Sequence, residues 1–155
     1  LWNVLQHIDI LIINDGEARA LGEDTNLVKV AKKILARGPK HLIVKRGEYG
    51  VLMFNDKQVF GAPAFPLDDV RDPTGAGDTF AGGFMGYLAA QKEINEDAMR
   101  RAMIYGSVMA SFNVEKFGTE RVDALEYSEI NQRFKAFKQM THFDDIPFER
   151  STTAV

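Results

Sequence analysis

The chain has 155 residues, of which 45% are hydrophobic and 26% charged, and a formal net charge of −3. That is the composition of one soluble globular domain able to bury a core, without the basic footprint that nucleic acid or an anionic membrane surface would require, and without an apolar run near the ~20 residues of a membrane span. The absence of cysteine excludes disulfides and thiolate metal sites and agrees with a cytoplasmic setting.

Leu1, Leu5 and Ile8 recur at helical spacing, and residues 8–14 then form a nearly continuous β-branched run. This predicts a helix tail entering a buried strand. A short helix is expected over residues 17–21. Thr25 is expected to cap a clearer one, in which Leu27, Val30, Ala31, Ile34 and Leu35 make the apolar stripe and Gly38-Pro39 the stop. Residues 41–45 read as the next buried strand, and the order β-α-α-β predicts parallel pairing through a right-handed crossover.

The period then changes to two. Val51-Leu52-Met53-Phe54, a turn at Asn55-Asp56 and Lys57-Gln58-Val59-Phe60 predict an antiparallel hairpin near a sheet edge, after which Pro63 and Pro66 break the regular pattern. A helix over residues 77–90 would place Ala81, Met85 and Leu88 on one face. Gly82, Gly83 and Gly86 would let it approach a neighbour closely, which offsets the ~1 kcal/mol that each glycine costs against alanine. A helix over residues 95–113 carries Ala98, Ala102, Met109 and Ala110 as small or pliable packing residues. Residues 114–122, broken by Gly118, read as a loop or short turn. A last amphipathic helix over residues 127–140 carries Ile130, Phe134 and Phe137, and residues from 141 onward read as a loose tail.

The run Asp72-Pro73-Thr74-Gly75-Ala76-Gly77-Asp78-Thr79-Phe80-Ala81-Gly82-Gly83-Phe84-Met85 holds the most chemistry. Its glycines let several N–H groups converge at the start of a helix, where the macrodipole favours an anion. Asp78 is a poor choice for simply holding phosphate but a suitable one for accepting a proton from a hydroxyl that attacks phosphate. The N–H groups of Gly75, Ala76 and Gly77 are the expected oxyanion-type donors. A plainer reading makes Thr74 or Asp78 a helix cap. A dinucleotide-binding turn would need a small residue where Phe80 stands, and no Walker A lysine follows any glycine-rich turn.

Residues 72–85 resemble the C-terminal signature of the ribokinase-like, or PfkB, family of sugar and nucleoside kinases, and match it at every constrained position. The resemblance implies a three-layer αβα fold with a mostly parallel sheet and an antiparallel hairpin near its edge. It implies phosphotransfer from ATP, with Mg²⁺, to a hydroxyl of a ribokinase-like, fructokinase-like or adenosine-kinase-like substrate, with Asp78 as the base. Members of that family are usually about twice this length. Since the chain starts at Leu1 in what is already the end of a pattern, it reads as the C-terminal, nucleotide-binding half, residues 1–155, without the first half that supplies most sugar-binding residues and a β-stranded lid. A homodimer of the longer protein is implied, with its contacts largely in that lid. The reading of another class is a non-catalytic nucleotide- or ligand-binding fragment, or a regulatory pseudokinase.

Three further sites follow from the resemblance. Asn14-Asp15-Gly16-Glu17 is similar to the family's Asn-x-x-Glu motif, which makes Asn14 and Glu17 candidates for the phosphate and magnesium network, Glu17 acting through water. From the residues alone, the same four positions also read as a capping box. Val44-Lys45-Arg46-Gly47-Glu48-Tyr49-Gly50 resembles the segment that touches the nucleotide, with Lys45, Gly47 and Gly50 at matching positions; many relatives carry a hydroxyl residue where Lys45 stands. The adenine pocket would be built from the hairpin-to-helix region and residues 102–113. A K⁺ site, mostly of backbone carbonyls, would fall on Asp72, Thr74, Asn113, Lys116 and Gly118. His7, His41 and His142 stand alone and are expected to be structural or solvated.

Overall fold

The protein is described by a computed structural model over residues 2–147. A short helix α1 (Trp2–Leu5) leads into strand β1 (Ile10–Asn14), helices α2 (Asp15–Gly22) and α3 (Leu27–Leu35), and strand β2 (His41–Lys45). A 3₁₀ turn (Gly47–Tyr49) joins β2 to the hairpin of β3 (Val51–Phe54) and β4 (Val59–Ala62). Helices α4 (Ala76–Ala89), α5 (Glu96–Asn113), α6 (Glu120–Asp123) and α7 (Tyr127–Thr141) complete the chain. Among the described residues, no helix is long and apolar enough to cross a membrane.

The sheet runs β1-β2-β3-β4, parallel between the first pair and antiparallel in the other two. The expected parallel crossover and edge hairpin are both present. A mostly parallel sheet is not: the described residues contain a single β-α-α-β crossover, and the hairpin supplies the remaining pairings. Alternation along the strands explains why residues 10–13 of β1 and 42–44 of β2 are all apolar. Leu42 and Val44 face one core with Leu11, Ile13, Val30, Ala31 and Ile34, whereas Ile43 faces the other with Ile10, Ile12, Phe84, Met103 and Phe112. Helices α1–α3 cover the first face and α4, α5 and α7 the second, which makes three layers.

Local chemistry moves several expected boundaries. Asn26, not Thr25, caps α3: it has an extended backbone and its Oδ1 accepts from the N–H groups of Val28 and Lys29. Strand β4 starts at Val59 because the Asn55 side chain takes the N–H groups of Lys57 and Gln58 into the turn. The 114–122 segment contains one helical turn, α6. Thr141 still belongs to α7, residues 142–147 are exposed, and the rest of the expected tail lies outside the described residues.

In α4 the buried stripe is Phe80, Phe84 and Leu88; Met85 is 50% exposed and Ala81 only partly covered. Two aromatic rings carry more apolar area than Ala81 and Met85, so they set which face turns inward. Of Gly82, Gly83 and Gly86 only Gly83 touches a neighbour: a Cβ there would lie 3.0 Å from the Tyr105 carbonyl oxygen. Gly106 answers from α5, where a Cβ would lie 2.8 Å from the Phe80 carbonyl. Gly82 and Gly86 face open space. Beyond this contact Tyr87, Tyr105 and Phe134 stack with centroids 4.6 and 4.4 Å apart, which ties α7 to the α4–α5 pair.

At the start of β2, Glu96 on the first turn of α5 holds the hairpin. Its carboxylate takes Asn55 Nδ2 at 3.0 Å and Gln58 Nε2 at 2.8 Å, and contacts His41 Nε2 at 3.3 Å, so His41 is structural as expected. Burial alone would raise this carboxyl, but the hydrogen bonds from Gln58, His41 and Asn55 together outweigh it and hold it below the ordinary glutamate range. A depressed carboxyl stabilises the fold above its unfolded pKa and loses that contribution as pH falls through the lower folded value.

Two predictions follow from these contacts. Gly82→Ala and Gly86→Ala are expected to stabilise by about 0.5–1 kcal/mol each, and Gly83→Ala to destabilise, as read by urea unfolding; equal effects at all three positions would contradict the packing described. Glu96→Ala should destabilise by about 1 kcal/mol, below the ~1.5–3 kcal/mol typical of hydrogen bonds to charged groups because the side chain is half exposed. The stability gap between the parent and Glu96→Ala should be steady at neutral pH and close below pH 4.5; a gap that widens on acidification would contradict the assignment.

Candidate active site

The signature enters α4 through an unusual N-terminus. Gly75, the N-cap residue, has φ 80, a left-handed conformation that costs a non-glycine residue about 1–2 kcal/mol, and no side chain caps the helix. Neither Thr74 nor Asp78 is therefore a cap. Asp72 Oδ1 accepts the Thr74 N–H at 2.9 Å and turns the chain into Pro73. The Thr74 N–H, then its hydroxyl and the backbone of Gly118, hold the Asp72 carboxyl below the ordinary aspartate range against a smaller opposing effect of burial.

Asn113, the last residue of α5 and 3% exposed, fixes this turn from behind. Its Nδ2 donates to the Thr74 carbonyl at 2.9 Å, and its Oδ1 accepts from Thr79 Oγ1 at 2.9 Å. The next carbonyl, that of Val114, accepts the N–H groups of Arg71 at 2.8 Å and Asp72 at 3.4 Å. With the Thr74 carbonyl given to Asn113, no protein acceptor among the described residues takes the N–H of Gly75, Gly77 or Asp78. The Ala76 N–H, expected to join this set, instead donates to the Pro73 carbonyl at 3.2 Å. Asp78 contributes a donor that motif reading overlooked, and its carboxyl is exposed to solvent.

The sheet supplies the positive charge. Asn14 and Lys45 are register partners at the C-terminal ends of β1 and β2. Lys45 reaches from there to the helix start, where a Cβ on residue 77 would lie 2.6 Å from its Nζ. Glycine at 77 thus leaves room for the ammonium group. The arrangement is a set of uncommitted amides with an ammonium ion and one free carboxylate, suited to an anion that reacts with a proton donor. Among the described residues no three His, Cys, Asp or Glu side chains gather as a metal cluster.

The other expected residues divide. Asn14 and Glu17 form a reciprocal capping box on α2, Glu17 N–H to Asn14 Oδ1 at 2.8 Å and Asn14 N–H to Glu17 Oε2 at 2.9 Å. Both side chains remain exposed, and Glu17 keeps a second carboxylate oxygen. That suits a hard cation shared with phosphate oxygens and water better than a protein-built cage. Gly47 is exposed at the head of the 3₁₀ turn, whereas Gly50 is buried against the Ala62–Pro63 backbone. Asp72, Thr74, Asn113 and Gly118 gather around the signature turn, and Lys116 is exposed on the loop that follows α5.

A cytidine kinase from Thermococcus kodakarensis is 31% identical over 98 residues, 62% of this chain and 35% of that protein. A bifunctional ribokinase/ribose-5-phosphate isomerase A from Fructilactobacillus sanfranciscensis is 33% identical over 122 residues, 76% of this chain and 22% of that protein. Ribokinase from Thermotoga maritima superposes with a TM-score of 0.74 at 30% identity, over 87% of this chain and 45% of its own. A candidate ribokinase II from E. coli in complex with ATP and Mg²⁺ superposes with a TM-score of 0.72 at 26% identity, over 87% and 42%. The chain spans less than half the length of each. The pfkB family carbohydrate kinase pattern matches residues 1–124. The chain belongs to the pfkB family of carbohydrate kinases, which are phosphotransferases.

Asn113→Leu removes both bonds to the signature and leaves the Thr74 carbonyl and Thr79 hydroxyl facing an apolar side chain. It is expected to destabilise by about 2–3 kcal/mol in urea unfolding. A change within about 0.5 kcal/mol, the range of ordinary surface substitutions, would mean that the clamp is not formed.

Proposed function

We propose that this chain is the C-terminal, nucleotide-binding half of a kinase that transfers the γ-phosphoryl group of ATP to a hydroxyl of a sugar or nucleoside. The observation that carries the reading is the solvent-facing Asp78 carboxylate at the start of α4, beside three uncommitted amides and the Lys45 ammonium group. Phosphoryl transfer asks a protein to orient a hydroxyl, take its proton and balance the charge on the migrating group. Asp78 takes the proton of the acceptor hydroxyl. The N–H groups of Gly75, Gly77 and Asp78 hold the equatorial oxygens, and Lys45 balances charge between the phosphates as a point cation.

Mg²⁺, when bound, neutralises phosphate charge. Glu17 would orient its water shell, with the Asn14 N–H fixing one oxygen of the Glu17 carboxylate. Gly47 and Gly50 shape the approach of the nucleotide, and the adenine ring lies toward the hairpin-to-helix region and residues 102–113. A K⁺ ion beside the turn would draw on Asp72, Thr74, Asn113, Lys116 and Gly118. The acceptor is a small molecule bound mainly by a part of the protein outside this chain. The relatives named above as cytidine kinase and ribokinase support a ribose-containing acceptor.

In the intact protein, Asp78→Asn should lower kcat by a factor of about 10²–10⁴ with little change in KM for ATP, measured with ribose, fructose, adenosine and cytidine as acceptors. Phosphotransfer near the parental rate would remove Asp78 as the base. Nucleotide binding without turnover of any acceptor by the parent protein would favour a non-catalytic role.

A further inference from the structure

We propose that Arg133 on α7 is a positioning residue for the phosphate turn at Gly75–Asp78, acting through the last turn of α5. This rests on the reading of that turn as the phosphate site. The Arg133 side chain is only 17% exposed and meets three segments at once. Its guanidinium lies 3.5 Å from the ring centroid of Phe112 on α5 and 5.1 Å from that of Phe65, in the segment that leads from β4 to the signature. Its Nη1 donates to Ser111 Oγ at 3.1 Å, and its Nη2 pairs with Glu115 Oε1 at 2.6 Å. The other oxygen of Glu115 accepts from Arg121 Nε at 3.0 Å, and Arg121 also pairs with Glu129 on α7.

The contacts of α5's last turn alternate. Arg133 holds Ser111, Phe112 and Glu115, whereas the residues between them, Asn113 and Val114, hold the signature through Thr74, Thr79, Arg71 and Asp72. A rotation of this turn by a few tens of degrees would carry Asn113 away from the Thr74 carbonyl. The guanidinium resists that rotation because it is planar, stacked on Phe112 and fixed to two polar partners, geometry that a lysine cannot reproduce. A guanidinium–carboxylate pair this well covered is a weak source of stability, since desolvation cancels most of the attraction. Its effect is directional: it selects one orientation of residues 111–115.

The test is amide hydrogen exchange in the intact protein, which reads the turn without requiring activity. Arg133→Met should speed exchange at the Arg71 and Thr79 amides about tenfold while amides of β1 and β2 change less than about twofold. Arg133→Lys, which keeps the charge, should show the same local pattern at about threefold and provides the readout if the methionine variant does not fold. Glu96→Ala, a destabilising change at the other end of the sheet, should leave the Arg71 and Thr79 amides at the parental rate. Unchanged exchange at these amides, or a uniform rise over the whole domain, would overturn the proposal. Where the parent protein transfers phosphate, Arg133→Lys should lower kcat and leave the acceptor KM unchanged. Loss of the kinase reading would instead appear in the parent protein and in Asp78→Asn, with the exchange pattern intact.

Discussion

Everything at the candidate site depends on where the Thr74 carbonyl points. In an uninterrupted helix it would accept the N–H of Asp78, and the first turn of α4 would begin to close on itself. Asn113 takes that carbonyl instead, at 2.9 Å, from a buried position on another helix. Gly75 adopts the left-handed conformation that lets the chain make this detour. The result is a helix start with the amides of Gly75, Gly77 and Asp78 uncommitted and its positive dipole end open to solvent, without a side-chain cap that would compete with a ligand. A structural cap would have been the more stable solution.

The sheet is polarised around the same requirement. At the N-terminal end of β2, polar groups serve the fold: Glu96 gathers Asn55, Gln58 and His41, and Arg100 reaches Gln58 and lies over the Phe60 ring. At the C-terminal end, Asn14 and Lys45 stand side by side, and Lys45 reaches the start of α4. Open α/β sheets bind ligands beyond the carboxyl ends of their strands, because the loops and helix N-termini there present amides and leave room above the strand ends. The parallel pairing of β1 with β2 is what brings the two motifs to the same end. An antiparallel pairing would have separated them by the length of a strand, about 13–17 Å for five residues.

Packing gives this site a rigid back wall. Helices α4 and α5 approach through Gly83 and Gly106, and α7 seals the pair with the Tyr87–Tyr105–Phe134 stack and with Arg133 between Phe65 and Phe112. Amides aimed at a ligand are useful only if they do not rotate to find partners of their own. Here the last turn of α5 supplies that constraint, and aromatic and guanidinium groups on α7 hold that turn.

Much of this was legible in the chain itself, for reasons that are local. Strand and helix periods, the β-α-α-β order, the hairpin and the Gly-rich entry to α4 are written in neighbouring residues, and the capping box at Asn14 and Glu17 needs only four positions. The signature also marked Asp78 as a carboxylate in a place where simple anion binding would not put one. What only the tertiary structure decided involves partners far apart in sequence. The resemblance already offered Lys45 and Asn113 as candidates, but only packing makes room for the Lys45 Nζ at Gly77 and sets Asn113 on the Thr74 carbonyl; Arg133 looks like an ordinary helix residue until Phe65 and Glu115 arrive beside it. Which face of α4 turns inward follows the larger Phe80 and Phe84 rings, and the close approach of Gly106 to Phe80 exists only once α5 has packed. Short-range sterics and hydrogen bonding specify the elements, and the orientation of a functional amide or ammonium group is set by contacts that exist only after the layers have packed.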